Sequence, residues 1–178
     1  MKMKVPFVDV ASQYSSLRTE IIAKIDTISI RGGYVLSDEL LNFERNFADY
    51  CGTSFAVGVN SCTDALFLAL KALKVREGDE IITAPNSFIA TAGAIVATGA
   101  KPVFVDVRDD YNINPNLIEG AITERTRAIV PVHWAGLPCD MQKIIPLARK
   151  HNLKVVEDSC HAIKAKLNGK PAGSFGDA

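Results

Sequence analysis

Between residues 55 and 157 the chain alternates short apolar runs with segments of helical period, and this rhythm constrains the fold more than any other feature. Apolar runs stand at 55–59, 80–84, 102–107, 127–133 and 153–157. Between them, segments 63–73, 88–98 and 140–151 repeat apolar residues every three or four positions, the spacing of one helix face. The runs are apolar at successive positions, as in Ile129-Val130-Pro131-Val132 and Val155-Val156. Strands of that kind are buried on both faces, which happens when helices cover a parallel sheet from both sides. The order predicts an α/β fold, a three-layer αβα sandwich with a mainly parallel mixed sheet.

Local signals support the boundaries. Asn114 and Pro115 read as the N-cap and first residue of a short helix, because proline has no N–H to lose there. Gly99 closes the helix at 88–98, and Asp140 caps the one at 140–151. Upstream, residues 12–30 form an amphipathic helix with Leu17, Ile21, Ile25 and Ile28 on one face, ended by Arg31-Gly32-Gly33-Tyr34. A second helix starts near Ser37 and is expected to bury Leu40, Phe43, Phe47 and Tyr50. Near the other end, Asn168-Gly169 signals a type I′ hairpin. Residues 1–10 carry two lysines and a short β-like run, without the apolar core or cleavage site of a secretory leader.

Composition narrows the function. The 20 basic and 20 acidic residues cancel, which disfavours a nucleic-acid binder needing a basic face, and a polybasic membrane binder. Every apolar stretch stops short of the ~18 residues that span a bilayer. A cytoplasmic location is expected. Cys51, Cys62, Cys139 and Cys160 form no C-x-x-C pair, so free thiols are expected, with neither a disulfide framework nor a zinc site.

In an open α/β sheet, ligands bind at the carboxyl ends of the strands. The loops there read Asn60-Ser61-Cys62-Thr63-Asp64, Pro85-Asn86-Ser87-Phe88, His133-Trp134-Ala135-Gly136 and Asp158-Ser159-Cys160-His161. The first leads into a helix N-terminus, where free N–H groups and the helix dipole favour an anion. Ser61 and Thr63 serve there either as caps or as phosphate ligands. No P-loop or G-x-G-x-x-G accompanies them. Asp158 ends an apolar strand, where a buried carboxylate needs compensation. It is either a salt-bridge or capping residue or the partner of a protonated cofactor nitrogen. His133 and His161 are either structural or acid–base groups, and Phe88 and Trp134 either core or stacking surfaces. His161, Cys160 and Asp158 crowd too closely in sequence for a metal site.

Taken in order, these loops resemble the DegT/DnrJ/EryC1/StrS family of pyridoxal-phosphate-dependent sugar aminotransferases, which have the aspartate-aminotransferase-like fold type I. The resemblance runs from Val5-Pro6-Phe7-Val8-Asp9, like the family's opening strand, and Phe43-Glu44-Arg45-Asn46-Phe47-Ala48 through NSCTDALFLAL at 60–70. It continues through PNSFIAT at 85–91 and PVFVDV at 102–107. Pro131-Val132-His133 with Gly136, Pro138 and Asp140-Met141 follow, then Glu157-Asp158, His161, Gly173-Ser174 and Gly176-Asp177-Ala178. It implies that Cys62 and Thr63 bind the phosphate of pyridoxal 5'-phosphate, Phe88 stacks on its ring, Asp158 pairs with the ring nitrogen and His161 lies near the phenolic oxygen. His133 would shape the pocket from behind. It also implies a nucleotide-linked keto sugar and an amino-acid donor, glutamate, as substrates, and a homodimer.

Two departures stand out. Cys62 replaces a usual glycine, and is strained if that position has positive φ. The family's catalytic Schiff-base lysine lies beyond Gly-Asp-Ala, hence beyond Ala178, and Lys164, Lys166 and Lys170 all precede the motif. Residues 1–178 therefore read as the N-terminal portion of the cofactor-binding large domain, apparently truncated, without the rest of that domain or the small C-terminal domain. The alternatives are a deoxysugar dehydratase of the same family, a non-catalytic fragment of this fold, or a generic Rossmann-like nucleotide binder.

Overall fold

The structure is a computed structural model that describes residues 5–178. Residues 1–4, with the two lysines and the start of the β-like run, lie outside the described residues; residues 5–9 carry no strand. The chain falls into two units, Met1–Arg45 and Asn46–Ala178. In the first, α1 (Val10–Arg31) starts at Asp9, whose carboxylate accepts the Ser12 N–H at 3.0 Å and hydroxyl at 2.6 Å. It ends where Gly32 takes the left-handed conformation, at φ 67°. The predicted apolar stripe is present on α1, but none of its residues is buried.

The next helix, α2 (Asp38–Cys51), differs from expectation in its burial. Ala48 is its buried residue, Leu40 and Phe47 are half-buried, and Phe43 and Tyr50 are exposed. Periodicity fixes which face of a helix is apolar; it does not supply the layer that covers it.

In the second unit, β1 (Glu80–Thr83), β2 (Lys101–Phe104), β3 (Thr126–Val130) and β4 (Lys154–Val155) form a parallel sheet of order β2-β1-β3-β4. Successive strand residues point to opposite faces. Ile81, Ala128, Val130 and Val156 pack under α3 (Cys62–Ala72) and α4 (Ile89–Ala97) through Leu66, Leu70, Ala94 and Ile95. Ile82, Ile129 and Val155 face the other way, onto α5 (Pro115–Ile118) and α6 (Met141–Lys150) through Ile118, Met141 and Ile144. This is the three-layer sandwich that the doubly apolar strands require. Asn114 caps α5 by accepting the Asn116 N–H, with Pro115 at the first position.

The segment at 55–59 forms no strand, and Phe55 is 86% exposed. Among the described residues no strand pairs with it, and strand composition without a ladder partner does not make a strand. The run at 127–133 is interrupted for a chemical reason: Pro131 has no N–H to give the ladder. Pairing resumes one step later, at the Val132–Asp158 bridge. On the far side of β4, the Asp177 N–H donates to Val155 O at 2.7 Å and the Glu157 N–H to Ala178 O at 2.8 Å. The predicted hairpin forms between β5 (Lys166–Leu167) and β6 (Lys170–Pro171), with Asn168 and Gly169 both at positive φ as a type I′ turn demands. No described helix is long and apolar enough to cross a membrane.

Candidate active site

With the order β2-β1-β3-β4, the chain leaves β1 and β3 toward opposite faces of the sheet, which opens a crevice beyond their carboxyl ends. A cleft of about 150 Å³ lies there. Cys62, Thr63, Phe88, Asp158 and His161 all line it, so residues up to 99 positions apart in sequence meet at one place.

Asp158 is placed by strand alternation. From Val156 onward, even-numbered residues face α3 and α4, which brings the Asp158 side chain to the cleft and sends Glu157 the other way. Its backbone is held by N–H donation to Pro131 O at 3.0 Å and by acceptance from the His133 N–H at 3.1 Å. The carboxylate is buried, with the residue 6% exposed. Its Oδ2 accepts the Thr91 hydroxyl at 2.8 Å, and Thr91 Oγ1 lies 3.0 Å from Ser87 Oγ. Its Oδ1 receives the Cys160 N–H at 3.4 Å. No cation pairs with it among the described residues, and it caps no helix, so both ordinary explanations for a buried carboxylate fail here.

The N-terminus of α3 meets the same cleft. Ser61 is the N-cap, its Oγ accepting the Asp64 N–H at 3.1 Å. That leaves the N–H groups of Cys62 and Thr63, which no helical carbonyl can reach, for an anion. Hydrogen bonds from Asn60 and Ser61 hold the Asp64 carboxyl below its ordinary range. Cys62 sits in helical backbone and not at positive φ, so a side chain costs no strain there.

Phe88 stands at the N-cap of α4 and is 72% exposed, so it is not core. The exposed His161 ring stands edge-on to Trp134, at 6.2 Å between centroids.

His133 is fully buried and does not line the cleft. Its Nδ1 accepts the Cys139 N–H at 2.9 Å, so the ring proton sits on Nε2 and is donated to Glu157 Oε2 at 2.8 Å. Glu157 also accepts the N–H groups of Gly173 at 3.0 Å, Phe175 at 2.5 Å and Gly176 at 2.7 Å. Burial pushes the Glu157 pKa up, but the bonds from His133, Gly176 and Gly173 outweigh it and hold the group below its ordinary value. Glu157 thus anchors the Gly-Ser-Phe-Gly segment against β4. Sequence reasoning missed this role and that of Thr91. The signal for Thr91 was its place three residues after Phe88, on the same helix face.

The cysteine expectation is corrected. Cys62 and Cys160 are joined in a disulfide, with Cα atoms 6.7 Å apart and the two residues 98 positions apart in sequence. The first residue of α3 and the loop after Asp158 converge to make the pair, which linear spacing does not reveal. Cys51 and Cys139 are free, and burial pushes the Cys139 thiol up to about 12. The two bridged sulfurs and an Asp158 oxygen lie within 4.8 Å of one another, but sulfurs in a bridge offer no thiolate to a metal.

A larger cavity of about 640 Å³ opens elsewhere in the second unit, against Phe47, Tyr50, Ile163 and Pro171. It is mostly apolar. The smaller cleft holds the Asp158 carboxylate and the N-terminus of α3.

The model of the DegT/DnrJ/EryC1/StrS aminotransferase family matches residues 15–178. The chain belongs to this family. A UDP-N-acetyl-3-dehydro-alpha-D-glucosamine 3-aminotransferase of Acidithiobacillus ferrooxidans is 47% identical over 174 residues, 97% of this chain and 47% of that protein. Among solved structures, S. venezuelae DesV in complex with a ketimine intermediate superposes with a TM-score of 0.94 at 45% identity, over 97% of this chain and 47% of that one. NtdA from Bacillus subtilis with bound cofactor PMP superposes with a TM-score of 0.91 at 35% identity, over 97% of this chain and 40% of that one. The DegT/DnrJ/EryC1/StrS chain described here thus spans less than half the length of these relatives.

Proposed function

We propose that the protein carrying this chain binds pyridoxal 5'-phosphate in the strand-end cleft. There it transfers an amino group from an amino-acid donor, glutamate, to the keto group of a nucleotide-linked sugar. The observation that carries this reading is Asp158: a buried carboxylate with no cation, lining a cleft that also holds a helix N-terminus and an exposed aromatic ring. These residues fit the cofactor's three chemical parts, a basic ring nitrogen, a flat ring and a phosphate. The named relatives support the substrate class.

When bound, the cofactor supplies an electron sink for the negative charge left at a carbon that loses its proton. Asp158 keeps the ring nitrogen protonated, since a nearby carboxylate raises a nitrogen's pKa. Thr91 fixes the Asp158 carboxylate through Oδ2, and the Cys160 N–H reaches Oδ1. The N–H groups of Cys62 and Thr63, with the Thr63 hydroxyl, hold the phosphate at the helix end. Phe88 supports the ring from one side. His161 borders the position of the phenolic oxygen. None of Lys164, Lys166 and Lys170 lines the cleft, so the lysine that carries the proton comes from outside these residues. Residues 1–178 serve as the N-terminal portion of the large domain, in a cytoplasmic homodimer.

The test uses the reduced protein in equilibrium dialysis against pyridoxal 5'-phosphate. Binding is expected to weaken at least tenfold in Asp158→Ala. Equal affinity in that variant refutes the assignment. Formation of 2-oxoglutarate from glutamate, dependent on a nucleotide-linked keto sugar, checks the transfer itself.

A further inference from the structure

We propose that Cys62 and Cys160 form a thiol–disulfide gate on the cofactor cleft: the bridged form excludes pyridoxal 5'-phosphate, and reduction admits it. The proposal rests on the function proposed above. Its basis is where the bridge stands. Cys62 is the first residue of α3, the helix end assigned to the phosphate, and Cys160 is two residues past Asp158. Both line the cleft.

Oδ2 of Asp158 accepts the Thr91 hydroxyl at 2.8 Å, and Oδ1, whose one N–H donor is that of Cys160 at 3.4 Å, keeps a lone pair for a ring nitrogen. Such a nitrogen must come within about 2.8 Å, the length of a charge-assisted hydrogen bond. Cys62 Sγ stands 3.9 Å from Oδ1, and both sulfurs lie within 4.8 Å of the carboxylate. The bridge therefore occupies the approach that the ring nitrogen needs. It also ties the phosphate-binding helix end to the loop after Asp158, so neither can adjust to a ligand. With the bond broken, each side chain turns about its own Cα–Cβ bond and clears the approach.

The chemistry is thiol–disulfide exchange with a low-molecular-weight disulfide such as oxidised glutathione. One cysteine thiolate attacks the small disulfide, forming a mixed disulfide and releasing one small thiol. The second cysteine displaces the other, so two protein thiols become one bridge as one small disulfide becomes two thiols. Both cysteines are exposed to such a reagent. The reverse exchange with excess small thiol reopens the cleft.

The experiment treats the protein with dithiothreitol or with oxidised glutathione and removes the reagent. Non-reducing peptide mass spectrometry then maps the bridge, and equilibrium dialysis measures pyridoxal 5'-phosphate affinity. The expected result is a Cys62–Cys160 crosslink in the oxidised sample with at least tenfold weaker binding. Cys160→Ser cannot form the crosslink, and after dithiothreitol treatment it is expected to bind the cofactor as the reduced native protein does. Equal affinity in both redox forms, or oxidation without this crosslink, overturns the gate alone. Failure of the reduced protein and of Cys160→Ser to bind the cofactor at all overturns both the gate and the function it rests on.

Discussion

Replacing Glu157 by glutamine keeps the shape of the side chain and removes two of its four hydrogen bonds. Oε1 of the native carboxylate accepts from Phe175 and Gly176, and Oε2 from Gly173 and His133. A glutamine turned either way puts an NH₂ against one of these donor pairs. His133 cannot relieve the clash by moving its proton to Nδ1, because that atom already accepts from Cys139. Hydrogen bonds to charged groups contribute about 1.5–3 kcal/mol each; the His133 donor is buried and the three backbone donors are half-buried. The loss should be about 3–5 kcal/mol, a large part of a domain's total stability. Urea denaturation followed by Trp134 fluorescence reads it. With a slope of about 2 kcal/mol/M, the midpoint falls by about 2 M. A loss under about 1 kcal/mol would show that water satisfies these groups, and would refute the role of Glu157 as an anchor.

Acid should act through the same residue. Its folded pKa lies below the ordinary 4.5, so its contribution is present above that value and disappears as pH falls through the folded pKa. The difference in Tm between the native chain and Glu157→Gln should therefore hold from pH 7 to about 5 and shrink toward pH 3; a constant difference contradicts it. Gly176→Ala should destabilise by about 1–3 kcal/mol in the same urea assay, because its Cβ would stand 2.5 Å from Val155 O. The backbone cannot yield there, being fixed by Glu157 on one side and by the Asp177 bond to Val155 on the other. Thr91→Val keeps the shape of the side chain and removes the hydroxyl that orients Asp158. Cofactor binding measured by dialysis should weaken about tenfold, equivalent to about 1.4 kcal/mol, and unchanged binding would show that Thr91 is only packing.

The fold was legible because its signals are local. Doubly apolar strands such as Ile129-Val130, the Asn114-Pro115 cap and the Asn168-Gly169 turn each depend on a few neighbouring residues. Phe88, Asp158 and His161 were legible from the loops after strands, and Cys62 and Thr63 from the helix N-terminus that meets them. The failures were all of pairing across distance. The segment at 55–59 has strand composition, yet a strand exists only with a partner. Phe43 and Tyr50 lie on an apolar face, yet burial needs a covering layer. The cysteine bridge, the Thr91 hydroxyl and the Glu157 anchor each join groups that no spacing rule connects. Pro131 shows that a single residue's chemistry can end a strand that hydrophobicity alone would extend.

The ladder that carries Asp158 is short. β4 pairs with β3 at only two positions before the isolated Val132–Asp158 bridge. So brief a ladder confers little resistance to local opening, and what keeps it shut is the docking of 173–178 onto Glu157 and Val155. Loss of those contacts would free Asp158 while β1, β2 and β3 stay paired. A ligand held by Asp158 would then act as a late folding template, adding protection from hydrogen exchange first at the amides of His133 and Asp158, well before any change in global melting.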